Sequence, residues 1–303
     1  MKLKLEGIWT PIPTPLTKQG KIDQETTRKL VDFHIESGID GILPLGTSGE
    51  FALLTKEERN LLVETVVDQV DGRVPVVAGV SDPSIENVLQ LSADAKKAGA
   101  DAVIATPPYY FTTTDQGHYD HFKTISEGID LPLMIYNIPE WTHSFVTPDT
   151  VQRLADEKLV AGMKYTEYNF LNLLRFLKTS KSKISIFTGS DALAYSNLEF
   201  GGSGGILGSA NVAPEIASKI FDYYKKADLK TAREAQEELL PVIDALSVGR
   251  YPASLKEAMR LVGHPVGPLK EPLQELSIGD KKLIARHLKQ HLNGSRKNAL
   301  RNE

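Results

Sequence analysis

The sequence predicts a closed parallel (β/α)8 barrel (a TIM barrel) with a C-terminal helical extension, and three observations carry that expectation. Short, continuously apolar runs alternate with amphipathic stretches in about eight successive units, the pattern of a parallel sheet whose two faces are both covered. The first apolar run leads into Pro11-Ile-Pro-Thr-Pro15. A doubly wound sheet would place a glycine-rich phosphate turn there, and prolines cannot supply its N–H donors. A weak internal repeat, Gly38-Ile-Asp-Gly-Ile42 and Gly99-Ala-Asp-Ala-Val103, recurs at equivalent helix-to-strand joints two units apart.

The predicted strands are Gly7–Thr10, Gly41–Leu45, Val74–Gly79, Ala102–Ala105, Leu133–Tyr136, Val160–Lys164, Ile184–Thr188 and Gly204–Gly208. Between them, Asp23 is a candidate cap for the first helix and Gly38 its stop. Thr55-Lys-Glu-Glu58 has the capping-box spacing, followed by Val63, Val66, Val67 and Val70 on one helical face. Residues 1–222 are assigned to the barrel and 223–303 to a helical region packed against its side. That region has helical stretches over Leu229–Leu246, Ser254–Leu261 and Gly279–His291, and a polar, frayed tail from Asn293.

The 303 residues are 41% hydrophobic and 24% charged, with a net charge of −4 and no cysteine. This excludes a disulfide framework, a thiolate nucleophile and Cys-ligated metal, and it lacks the basic excess of a nucleic-acid binder. No apolar run approaches a membrane span. Met1-Lys2-Leu3-Lys4-Leu5-Glu6 is too polar for a signal-peptide core, so the expected location is the cytoplasm.

In such a barrel the chemistry sits at the C-terminal ends of the strands. Strand six ends in Lys164, an amine at the mouth of a dry barrel, where burial favours the neutral nucleophile that imine formation requires. Tyr136 ends the neighbouring strand five and can shuttle protons beside it. Thr47 and Ser48, within Gly46-Thr-Ser-Gly-Glu50, supply hydroxyls and inward-turning N–H groups suited to a carboxylate. Further candidates at the strand ends are Thr166, Gly189, Asp191 and Ser209, with His143 just after strand five.

Three other signals point away from function. Gly201-Gly-Ser-Gly-Gly205 lies at the opposite end of the barrel and is expected to be a tight turn. His118 with His121, and His287 with His291, have helical spacing but no completing ligand, and are expected at the surface.

At Gly46-Thr-Ser-Gly-Glu50, Tyr136-Asn-Ile-Pro139 and Gly162-Met-Lys164, the chain resembles the Schiff-base lyase superfamily of dihydrodipicolinate synthase and N-acetylneuraminate lyase. The resemblance extends from Gly7 to about His291. It implies that Lys164 forms an imine with pyruvate, that Tyr136 transfers protons, and that Thr47 and Ser48 hold the carboxylate. It further implies that Tyr110 enters a neighbouring subunit's site and that Ile206 lines the pyruvate pocket. The implied partners are pyruvate and a small aldehyde or 2-oxo acid, and the implied assembly is a homotetramer. No cofactor is implied, because the imine is its own electron sink.

Two departures bear on the substrate. Trp141 stands where dihydrodipicolinate synthases carry an arginine for the second substrate's carboxylate, and indole supplies no charge. Lys164-Tyr-Thr166, Asp191 and Arg250-Tyr-Pro252 look more like neuraminate lyases, although Ala192 replaces the acidic residue expected there. The leading expectation is therefore an aldolase acting on a 2-keto-3-deoxy sugar acid, with Thr166, Asp191 and Ser209 meeting its hydroxyls and Trp141 beside them in the substrate site. The alternatives are a dihydrodipicolinate synthase with a non-standard second-substrate site, a dehydratase working through the same imine, and a non-catalytic barrel that binds a 2-oxo acid.

Overall fold

The computed structural model describes residues 3–291. Its eight strands are β1 (Gly7–Pro11), β2 (Gly41–Leu43), β3 (Val77–Gly79), β4 (Ala102–Ala105), β5 (Leu133–Asn137), β6 (Gly162–Tyr165), β7 (Ser185–Thr188) and β8 (Gly204–Ile206). All pair in parallel in the order β2-β1-β8-β7-β6-β5-β4-β3. A single parallel bridge between Ile42 and Val76 brings the two ends of that order together into a barrel. Five strands, β2, β3, β6, β7 and β8, are shorter than predicted, and at β2 and β3 proline is the reason. Pro44 and Pro75 lack the N–H that would extend β2 past Leu43 and β3 back to Val74.

The repeated Gly-x-Asp joints have one mechanical job. Asp40 accepts the Ile8 N–H and Asp101 the Val76 N–H, each at 2.8 Å, so each aspartate ties its own strand to the chain beside it. The preceding Gly38 and Gly99 sit at φ +84° and +94°, a region that disfavours side chains. Asp23 caps the helix Gln24–Glu36 through the Thr26 N–H at 3.0 Å, and Thr55 with Glu58 completes the capping box of Lys56–Val70.

Side chains pointing inward fill the barrel. Trp9, Leu43, Ile104, Met134, Phe187 and Ile206 form this inner core, with Trp9 edge-on to Phe187 at 5.6 Å between ring centres. A larger apolar shell, including Ile42, Val66, Phe122, Tyr165 and Phe176, lies between strands and helices. The turn from Gly201 does lead into β8 at the far end, and a side chain on Gly204 would run into the Gly7 carbonyl.

Several details differ from the sequence expectations. Leu229–Leu246 divides into helices Leu229–Glu238 and Leu240–Leu246, because Pro241 cannot donate into the preceding turn. His118 and His121 are buried rather than at the surface. They face inward with Tyr119, Phe122 and Ile125 on helix Asp115–Gly128, and the His121 ring bonds the Thr106 carbonyl. The His291 side chain and the tail from Asn293 lie outside the described residues. Among the described residues, no helix is long and apolar enough to cross a membrane.

Candidate active site

β5 and β6 pair so that Tyr136 stands directly opposite Lys164. Both side chains point into the barrel at its C-terminal mouth, and both residues are almost wholly buried. The Lys164 Nζ lies 3.3 Å from the Tyr136 hydroxyl, which lies 3.1 Å from Thr47 Oγ1. An amine, a phenol and an alcohol therefore form one chain of exchangeable protons. The ammonium position also lies 4.4 Å from the centre of the Tyr136 ring.

The turn after β2 brings Thr47 to that chain. It is closed by hydrogen bonds from Gly49 N–H to the Gly46 carbonyl and from Glu50 N–H to the Thr47 carbonyl. Glu50, at φ +55°, drops its carboxylate into the interior, where Lys256 Nζ meets it at 2.6 Å and the Lys270 N–H at 2.7 Å. Ser48 Oγ lies 2.6 Å from the Tyr251 hydroxyl. Burial pushes the Tyr251 phenol's pKa upward, opposed by the Ser48 hydrogen bond.

These groups open into a cavity of about 860 Å³. Lys164, Tyr136, Thr47, Ser48, Thr166, Gly189, Asp191, Ile206 and Trp141 all line it. Gly189 is required by close approach: a Cβ there would strike the Thr166 hydroxyl and lie 2.7 Å from Lys164 Cε. The Thr166 hydroxyl oxygen is buried without a hydrogen-bond partner among the described residues. Asp191 accepts the Ser209 N–H at 2.6 Å, which links Ser209 to the cavity wall. Burial raises the Asp191 carboxyl above its ordinary value, against hydrogen bonding from Ser209 and the charge of Lys164.

Two candidates stand apart. Tyr110 is 83% exposed, at φ +76°, on the loop after β4, and does not line this cavity. His143 is exposed at the end of the short helix Pro139–Thr142 and does not line it either.

The C-terminal helical region contributes more than expected. Ile243, Leu246, Ser247, Gly249, Arg250 and Tyr251 form one wall of the cavity, so this region covers the mouth as well as packing beside the barrel. The Arg250-Tyr-Pro252 motif was the sequence signal for it, but sequence reasoning assigned no role to Tyr251 or Arg250. Among the described residues, no group of three or more His, Cys, Asp or Glu side chains is arranged to hold a metal ion.

A parallel barrel with a buried lysine and phenol facing each other at its C-terminal mouth defines the class of Schiff-base lyases. The model of the dihydrodipicolinate synthetase family matches residues 4–291, and the chain belongs to that family. It is a carbon–carbon lyase of the aldolase type. A 4-hydroxy-tetrahydrodipicolinate synthase of Methanopyrus kandleri is 35% identical to it over 291 residues, 95% of this chain and 97% of the relative. One from Bradyrhizobium diazoefficiens is 35% identical over 278 residues, 89% of this chain and 94% of the relative.

Among solved structures, YagE is a prophage protein of the dihydrodipicolinic acid synthase family from E. coli K12, in complex with pyruvate. It superposes with a TM-score of 0.92 at 30% identity, covering 95% of this chain and 99% of its own. Dihydrodipicolinate synthase from Thermotoga maritima does so with a TM-score of 0.90 at 34% identity, covering 94% and 98%.

These relatives overturn the expectation of a sugar-acid aldolase. That expectation weighed the missing guanidinium at Trp141 heavily, yet Trp141 is one half-exposed residue in a wide wall that contains a different arginine, Arg250.

Proposed function

We propose that the protein is a pyruvate-dependent 4-hydroxy-tetrahydrodipicolinate synthase with a non-standard second-substrate site. The observation that carries this reading is the Lys164–Tyr136–Thr47 chain at the cavity floor, with spacings of 3.3 and 3.1 Å. The Lys164 amine adds to the keto carbon of pyruvate and water leaves, giving an iminium. Loss of a methyl proton then forms the enamine, with the iminium nitrogen as electron sink. The enamine carbon attacks the aldehyde carbon of aspartate semialdehyde, and the aldehyde oxygen takes up a proton. The amine of the semialdehyde then adds to the iminium carbon and the Lys164 amine leaves, which closes the ring and frees the enzyme. Tyr136 lies within reach of the nitrogen, and Thr47 continues the proton path.

Thr47 and Ser48 hold the pyruvate carboxylate at the glycine-flanked turn. Ile206 gives that pocket an apolar wall, while Thr166, Gly189 and Asp191 border the space beyond it. The names of the relatives support the product class, and the pyruvate complex of YagE supports the first substrate. Tyr110, exposed on its own subunit, is read as completing the site of a second copy, in a tetramer built from dimers.

The test is chemical. Borohydride added with pyruvate should leave a reduced adduct on Lys164, seen by mass, and pyruvate with aspartate semialdehyde should turn over. Folded protein that never traps pyruvate refutes the imine, and trapping without turnover of aspartate semialdehyde refutes the synthase reading.

A further inference from the structure

A dipicolinate skeleton carries two carboxylates. A site that builds one must hold a carboxylate far from the imine as well as that of pyruvate. Among the described residues the cavity lining contains two basic side chains, Lys164 and Arg250, and Lys164 is committed to the imine.

Arg250 is placed for the second task. It sits on the exposed rim of the cavity, and no hydrogen bond or ion pair engages its guanidinium among the described residues. Its neighbour Tyr251 is anchored through its hydroxyl to Ser48 at 2.6 Å, so the backbone carrying Arg250 is tied to the turn that receives pyruvate. Gly249 precedes it at φ +67°, a reversal of the chain that glycine accepts readily. Other nearby cations are already used: Lys256 meets Glu50 at 2.6 Å and Lys270 meets Glu58 at 2.5 Å.

The remaining charges sharpen the argument. Glu140, Glu167 and Asp191 also line the cavity. Glu167 accepts the Tyr165 hydroxyl and Asp191 the Ser209 N–H. The carboxylate end of a substrate entering past these groups needs a cation to offset them, and a guanidinium can grip a carboxylate through two parallel hydrogen bonds.

We propose that Arg250 is a specificity-determining residue that binds the distal carboxylate of the second substrate, the role for which Trp141 offers no charge. This inference rests on the synthase reading above. The experiment uses the full chain with saturating pyruvate and compares wild type, Arg250→Gln and Arg250→Lys. Each is assayed with aspartate semialdehyde and with an uncharged aldehyde, and each is tested for borohydride trapping of pyruvate.

Arg250→Gln should lower kcat/KM for aspartate semialdehyde about 10- to 100-fold, the range expected for losing a hydrogen bond to a charged group, and chiefly through KM. Arg250→Lys should restore part of it. Pyruvate trapping, which involves no second substrate, should keep its wild-type rate. Turnover of aspartate semialdehyde by Arg250→Gln at the wild-type kcat/KM overturns the inference and leaves the synthase reading standing. Equal losses for both aldehydes also overturn it, since a carboxylate-binding role acts on only one. If wild type traps pyruvate but does not turn over aspartate semialdehyde, the synthase reading falls and the inference falls with it.

Discussion

Replacing Lys256 with methionine is the most demanding test of how the turn that carries Thr47 and Ser48 is held. Lys256 lies on helix Ala253–Leu261 with its side chain 6% exposed, and its Nζ stands 2.6 Å from a Glu50 side chain that is 0% exposed. The ammonium also donates to the Thr14 carbonyl at 3.1 Å and the Pro268 carbonyl at 2.6 Å. Methionine keeps much of the volume but leaves Glu50 buried with one remaining donor, the Lys270 N–H at 2.7 Å. Breaking a buried pair on one side costs about 3–5 kcal/mol, a large part of the roughly 5–15 kcal/mol that holds a domain together. Burial lowers the Lys256 pKa despite the opposing pull of Glu50, so desolvation is a heavy part of this pair. The double variant Glu50→Gln/Lys256→Met should therefore be less destabilised than Lys256→Met alone. Urea unfolding of the three proteins measures this. Because Glu50 closes the turn that carries Thr47 and Ser48, the KM for pyruvate should also rise in Lys256→Met. An unchanged unfolding midpoint in that variant would refute the claim that the pair braces the turn.

Tyr136→Phe keeps the ring but removes the oxygen that lies between Lys164 and Thr47. Turnover should fall about 10²–10⁴-fold while the fold is retained, and steady-state kinetics with matched circular dichroism would show it. Tyr110→Phe should slow turnover without changing the sedimentation coefficient, and a fully active monomer would remove Tyr110 from the chemistry. Burial holds His34 and His121 neutral, lowering their pKa values from 6.5 to about 3 and about 4. The unfolded chain therefore binds protons that the native state refuses. Their contribution to stability is complete above pH 6.5 and declines as pH falls towards 4, by up to about 1.4 kcal/mol per pH unit for each ring. Urea unfolding between pH 7 and 4.5 measures that slope, and His121→Gln should make it shallower.

The barrel was legible because its strands are bounded by chemistry that acts locally. Ala102–Ala105 is the same in sequence and structure, since no proline interrupts it and Asp101 fixes its entry. β2 and β3 are shorter than their apolar runs because Pro44 and Pro75 look apolar in sequence while removing ladder donors. The two histidines of helix Asp115–Gly128 depart from the sequence expectation for a related reason. Polarity suggested the surface, but their spacing puts them on the same face as Tyr119, Phe122 and Ile125, and there burial prevails.

The site divides along the same physical line. Lys164 and Tyr136 sit on adjacent strands at one register, so strand pairing alone brings them together, and a reader who finds the strands finds the pair. Tyr251 and Arg250 reach the cavity from a loop with no periodic pattern, placed by the packing of helices Leu240–Leu246 and Ala253–Leu261, and no spacing rule predicts that approach. The half of the cavity that would take pyruvate is thus built on strands and their first turns. The half in which the proposed second substrate would sit is built from Glu140 and Trp141, from Glu167 to Asn169, and from residues between Ile243 and Tyr251. In the proposed mechanism the strand residues carry the reaction, because an imine needs its amine and its proton path at fixed separation. Carboxylate recognition needs only a cation somewhere on the wall within reach, so its position can move along the chain. The absence of arginine at one position therefore says little about whether the cavity accepts a second carboxylate, and the charge inventory of the whole wall says more.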